Sequence, residues 1–240
     1  MNTNNSTGST IASKPICFCT PRQAKALLSE GRMLLLLVRH GMTDWNVEMR
    51  LQGRANIALN EEGHCQAKHL ASIFSKASEK IDICEVYTSP LHRAKDTADY
   101  IAKEVLSRDA KVTKDLIERD YSRLEGLTLA ERKKVFPHPS MYPEEVEDAT
   151  TSALRVKRVA LDIFKETKLA DGKITAAVGV THGGVMNALF SYLTRARAGT
   201  CKNLSANCSI ALLASGEFDI IPLAFNLKED DFICYINDLS

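Results

Sequence analysis

The sequence predicts an α/β fold in three layers, with a mostly parallel central sheet covered by helices on both faces and a small helical insertion. Two observations carry that expectation. Two apolar runs end on the same step, Leu34-Leu35-Leu36-Leu37-Val38-Arg39-His40-Gly41 and Ala176-Ala177-Val178-Gly179-Val180-Thr181-His182-Gly183-Gly184. Short runs of this kind read as parallel strands buried on both faces. Strand-like runs also alternate with helical periods along the chain, as βαβ units require. At 240 residues the chain can bury a full core as one domain with an elaboration.

The elements follow in order. Thr20-Pro21 opens a helix that runs to Glu30 and stops at Gly31, with a capping threonine, an early proline and a terminating glycine. Met33 to Val38 is the first strand, and a polar loop from Gly41 to Ala58 follows it. Asn60 caps a helix that continues to about Ser78. Ile83 to Thr88 is the second strand; Ser89-Pro90 then starts a helix, with Ser89 as N-cap, that reaches about Leu106. Lys111 to Leu116 fits a short strand. From Gly126 to about Lys168 the chain is helical and charged, broken by Pro137, Pro139 and Pro143. After the strand ending at His182 comes a helix from about Gly184 to Leu193. Asn207 to Leu213 and Phe218 to Leu223 close the sheet. The expected division is residues 1–32 as a tail with a short extra helix, 33–225 as the main domain with the insertion at about 126–168, and 226–240 as a C-terminal tail.

Composition excludes more than it assigns. With 45% apolar and 25% charged residues the chain is an ordinary globular one, and its net charge of +1 gives no reason to expect nucleic acid as a partner. No apolar run reaches the roughly 18–20 residues that span a bilayer, so no membrane partner is expected. Met1 to Ser13, rich in Asn, Ser and Thr, lacks the pattern of a secretory signal and reads as a disordered tail. The seven cysteines are odd in number and scattered, which suits buried thiols in a reducing, cytoplasmic setting. Cys17-Phe18-Cys19 lacks the two-residue spacer of zinc and redox motifs, and His64 and His69, five apart on a helix, read as core-edge or solvated side chains.

In open α/β sheets ligands sit beyond the carboxyl ends of the strands. Three such ends deliver polar groups here: Arg39 and His40, then Arg93 in the first turns of a helix, then His182. Guanidinium forks and helix N-terminal amides complement the charged oxygens of a phosphoryl group. Neutral imidazole is a competent nucleophile near pH 7, and a carboxyl can protonate a leaving oxygen. Taken singly, a His-Gly step is commonly a turn, Arg93 a solvated side chain, and Glu118 a surface partner of Arg119. It is their joint arrangement that points to one anion site.

Leu37-Val38-Arg39-His40-Gly41-Met42-Thr43-Asp44-Trp45-Asn46 resembles the signature of the histidine phosphatase superfamily, the phosphoglycerate mutase-like proteins. The likeness continues through Gln52-Gly53-Arg54, Leu59-Asn60-Glu61-Glu62-Gly63 and Gln66-Ala67, then Ser89-Pro90-Leu91-His92-Arg93-Ala94-Lys95-Asp96-Thr97-Ala98. Leu116 to Gly126 resembles the family's acid-bearing loop and Thr181-His182-Gly183-Gly184 its last motif, so the likeness spans roughly residues 34 to 225 in the family's order. It implies a phosphoglycerate mutase-like fold and catalysis by His40, Glu118, Arg39, Arg93 and His182. His40 would become the phosphohistidine, Glu118 the proton donor, and the other three the phosphoryl holders. Substrate binding would involve Arg39, Asn46, Gln52, Gly53, Arg93, His182 and Gly183. No metal or other cofactor is implied; the expected partner is a small phosphate ester, with a homodimer compatible with the family's range of assemblies.

Two departures leave the acid loop open. Ser122 and Leu124 stand where many relatives carry glycine and tryptophan, so Asp120 or Glu125 could replace Glu118 as the acid; Met42 stands where relatives are often polar. Only 63 residues separate Glu118 from His182, which resembles the phosphatase branch, since the mutases use a longer segment there to shelter the phosphoenzyme. The expected activity is hydrolysis of a phosphomonoester on a small metabolite. The alternatives are a cofactor-dependent phosphoglycerate mutase, a fructose-2,6-bisphosphatase-like enzyme, and a non-catalytic phosphate-binding module. The far wall of the pocket is expected from the helical segment Lys133 to Val156 and the loop after Asn46.

Overall fold

A computed structural model describes residues 14–170, 172–200, 204–216 and 219–239. A two-residue strand β1 (Ile16–Cys17) and helix α1 (Pro21–Ser29) lead into β2 (Leu34–Arg39), then α2 (Asp44–Val47), α3 (Glu61–Ser78), β3 (Ile81–Thr88), α4 (His92–Leu106) and β4 (Lys111–Val112). The chain continues through α5 (Leu129–Val135), α6 (Ala149–Glu166), β5 (Ile174–Thr181), α7 (Gly183–Leu193), β6 (Ile210–Ser215), β7 (Ile220–Leu227) and α8 (Glu229–Leu239). Among the described residues the strands form one sheet in the order β1-β7-β6-β2-β5-β3-β4. β2, β5, β3 and β4 pair in parallel, whereas β6, β7 and β1 pair antiparallel.

Alternate residues of β2 face opposite cores. Leu34, Leu36 and Val38 join α1, α3, α4 and α8 on one side. Met33, Leu35 and Leu37 join α6 and α7 on the other. Burying one such side chain stabilises by about 1.5–3 kcal/mol, so an apolar strand between two helical layers is the low-energy solution. Thr20 caps α1 through a reciprocal bond with Gln23, and Asn60 caps α3 by accepting the Gly63 N–H at 2.9 Å. Among the described residues no helix is long and apolar enough to cross a membrane.

Several boundaries differ from the sequence reading. α4 starts at His92 rather than Pro90, because Leu91, with extended backbone, takes the N-cap position in place of Ser89. The expected strand at 111–116 is β4 followed by a 3₁₀ turn at Lys114–Leu116. Within 126–168, α6 is a layer helix whose Val156, Val159, Ala160 and Ile163 enter the core. The expected C-terminal tail, 226–240, is not borne out over its described residues 226–239: α8 buries Phe232, Tyr235, Ile236 and Leu239. The late strands begin at Ile210 and Ile220, and residues 207–209 turn toward the end of β2. Met1 to Ser13, Cys201 and Phe218 lie outside the described residues.

Candidate active site

Three adjacent parallel strands end together. The Arg39–Thr181 register pairs the last residues of β2 and β5, and the ladder runs one step further as the His40 N–H donates to Thr181 O at 3.1 Å. The Ser89 N–H, just past β3, donates to Val180 O at 3.1 Å. The next residues of β2 and β5 are the two histidines, whose ring centroids lie 5.2 Å apart.

His40, Arg93 and His182 are all buried. His40 Nδ1 lies 2.7 Å from Gly41 O. A carbonyl only accepts, so Nδ1 carries the proton and Nε2 keeps its lone pair. The Arg93 Nε–H donates to that lone pair at 3.2 Å, while its two terminal nitrogens donate to Ala55 O and Gly53 O, both at 2.7 Å. Burial, then the charges of Arg93 and Arg39, hold His40 well below the ordinary imidazole value of 6.5, so its ring is neutral at pH 7. Burial, with Arg39 beside it, pushes Arg93 down to about 10, and it stays charged. The half-buried Arg39 donates from one terminal nitrogen to Ser205 O at 2.7 Å, and its Nε has no partner among the described residues. Among the described residues neither guanidinium forms an ion pair with a carboxylate. Buried charge without a counter-ion is costly unless a ligand supplies it.

Glu118 stands opposite, on the loop before α5. Its Oε2 accepts the Gly184 N–H at 2.8 Å, and its Oε1 accepts those of Val185 and Arg119 at 2.9 and 2.8 Å. The carboxylate therefore sits on the N-terminus of α7, where both amides and dipole favour a negative group. Only glycine fits at 184: a Cβ there would come within 2.6 Å of Glu118 Oε1 and of the Tyr121 hydroxyl. Asp120 and Glu125 are committed elsewhere. Asp120 pairs with Arg54 at 3.1 Å and accepts the Ser122 N–H, while Glu125 accepts the N–H groups of Arg54, Ala55 and Tyr121. Glu125 thereby folds over Gly53, whose φ of 52° and lack of Cβ allow the approach.

A cavity of about 240 Å³ opens over this cluster. Arg39, His40, Asn46, Gln52, Gly53, Arg93 and Glu118 line it, together with Arg50, Leu51, Tyr121, Gly184, Asn187, Leu204 and Ser205. His182 lies behind the lining, and Gly183 contributes space: its missing side chain lets the Arg39 guanidinium pass. Asn46 Oδ1 is taken by Thr43 and by Asn207 Nδ2, which leaves its Nδ2 donors for the cavity. Buried side-chain atoms without a partner among the described residues concentrate here as well, at Arg39 Nε, Gln52 Oε1, His182 Nδ1 and Ser205 Oγ. A larger cavity, about 340 Å³, lies at the opposite strand ends, between the end of α1 and residues 169–170 and 172–175, away from the histidines.

The sequence reading missed several of these groups. Tyr121 belongs to the acid loop but carries no signal beyond it. Asn187 accepts the Ser205 N–H at 2.9 Å, and Asn207 Nδ2 donates to His40 O and Gly41 O, clamping the histidine loop from the far end of the chain. The segment 133–156 does not line the cavity. Instead Arg155 donates to Asp115 O, Ile117 O and Glu147, and Arg119 donates to Glu147 O, so the segment braces the acid loop from behind.

The sequence profile of the histidine phosphatase superfamily (branch 1) matches residues 35–226, which holds every group just described. The chain belongs to this superfamily. Among its relatives are an uncharacterised phosphatase of Bacillus subtilis, 34% identical over 76% of this chain and 86% of that protein, and a metal-independent phosphoserine phosphatase of Arabidopsis thaliana, 34% identical over 72% and 74%. In three dimensions it resembles the phosphoserine phosphatase of Entamoeba histolytica in complex with 3-phosphoglyceric acid, at 25% identity and a TM-score of 0.65, covering 82% of this chain and 98% of that one. Named phosphatases thus stand among its relatives in sequence and in structure.

Proposed function

We propose that the protein hydrolyses small phosphomonoesters through a phosphohistidine at His40. The observation that carries this is the Nε2 lone pair of His40, held unprotonated among two cations that have no carboxylate partner among the described residues. A phosphoryl group entering the cavity supplies the missing negative charge to Arg39 and Arg93, with Asn46, Gln52, Gly53, Gly183 and His182 completing its surroundings. His40 Nε2 attacks phosphorus and the bond to the ester oxygen breaks, while Glu118 gives that oxygen its proton. Water then attacks phosphorus and yields a proton to Glu118, and the phosphorus–nitrogen bond breaks. Glu118 supports this role better than Asp120 or Glu125, since it lines the cavity and they are held in loop contacts. A carboxylic acid still accepts the amide bonds of α7 while directing its O–H into the cavity.

The named activities of the relatives support substrates such as phosphorylated small acids and amino acids. Six described cysteines are unbridged, which supports a reducing, cytoplasmic setting. A panel of phosphorylated metabolites tests the reading, with inorganic phosphate release measured against transfer between 2- and 3-phosphoglycerate. Release should dominate; transfer well above release would make the protein a mutase instead.

A further inference from the structure

His182 Nε2 lies 2.7 Å from Ser89 Oγ, and both residues are fully buried. The contact is built by the sheet: β3 and β5 are parallel neighbours, and the two residues follow directly on their last positions. A hydroxyl has one proton and two lone pairs. The Ser89 oxygen already accepts the Leu91 N–H at 3.3 Å, so one lone pair is occupied. If Nε2 bore the proton, Ser89 would accept twice, and its own buried O–H would be left without an acceptor among the described residues. If Ser89 donates to Nε2, both atoms of that contact are satisfied, and the imidazole proton moves to Nδ1. That nitrogen is buried and without a partner among the described residues, on a ring beside His40.

We propose that Ser89 is a positioning residue: its hydroxyl donates to His182 Nε2 and so holds His182 as the Nδ1–H tautomer, which presents a donor to the phosphoryl group bound at His40. The two imidazoles then differ in what they offer, His40 a lone pair and His182 a proton. The catalytic half of this inference rests on the phosphatase reading; the tautomer itself does not.

Long-range ¹H–¹⁵N correlation of the histidine rings in the intact protein tests it, with His182 identified by its loss in His182→Asn. The expected spectrum gives His182 a pyrrole-type Nδ1 and a pyridine-type Nε2; a protonated Nε2 overturns the proposal without any need for a variant. Ser89→Ala should let the tautomers mix and lower kcat about 10- to 100-fold, within the range of a lost partner behind a functional histidine. Ser89→Thr, which keeps the hydroxyl, should restore both. A Ser89→Ala enzyme within about twofold of normal kcat would remove the catalytic role. Inorganic phosphate should shift the Nδ1–H resonance; no shift would undo the phosphoryl reading of the cavity while leaving the tautomer assignment standing.

Discussion

The two strand ends carry the same His-Gly step, lie side by side, and are wired in opposite senses. At β2, His40 turns Nδ1 back onto the carbonyl of Gly41 and offers Nε2 to Arg93. At β5, His182 turns Nε2 back onto Ser89 and leaves Nδ1 open. Burial and the nearby guanidinium charges hold both rings well below 6.5. A shared residue type and a shared position thus do not give a shared role. What separates them is the group behind each ring: a carbonyl can only accept, whereas a hydroxyl can donate. The surroundings differ as well. Asn207 clamps the loop after β2, whereas the Glu118 carboxylate sits over the helix that follows β5.

Substitution at the two ends should give unequal losses. His40→Ala removes the proposed attacking atom and should lower kcat by at least about 10⁴-fold. His182→Ala removes one donor to the transferring group and should cost about 10²–10³-fold, with slow phosphoryl transfer still detectable by rapid quench. Similar losses for both would erase the distinction. Glu118→Gln should slow alkyl phosphates by about 10²–10⁴-fold and aryl phosphates far less, since a good leaving group needs no proton; equal losses in a paired assay would move the acid elsewhere. Gly184→Ala should displace Glu118 and Tyr121 through its 2.6 Å contacts while leaving His40 alone. Its expected signature is a loss of up to about 10²-fold confined to poor leaving groups.

The smallest effect concerns stability. Both histidines are neutral in the fold and ordinary in the unfolded chain, so below pH 6.5 the unfolded state binds more protons. Their contribution is fully present above 6.5 and falls as pH drops toward their folded values. Denaturant midpoints measured against pH should show this decline in the native protein. A His182→Asn variant should have a flatter curve, and parallel curves would contradict the burial argument.

Much of the site was legible because it lies in contiguous stretches at strand ends: Arg39-His40, the turn carrying Arg93, and His182-Gly183-Gly184. What escaped the sequence depends on long-range contacts. Asn46 and Asn207 meet across 161 positions, and no local pattern announces Asn187 or Ser205. Ser89 looked like a helix cap because serine before proline usually is one. The extended Leu91 delays α4 by two residues and leaves the hydroxyl to His182. The charged stretch 133–156 looked like a pocket wall, yet Arg155 and Glu147 spend their charges holding the acid loop. In the stretch expected as a C-terminal tail, Glu229-Asp230-Asp231 are the acids a helix favours in its first turn, and they open α8.

Rapid-quench labelling with a phosphate ester, followed by mapping of the modified residue by mass spectrometry, addresses the central claim most directly. The account requires a transient label on His40 that is lost in acid, survives base, and is absent from His40→Ala. Full turnover with no such label, or a label stable to acid on a hydroxyl, would contradict it.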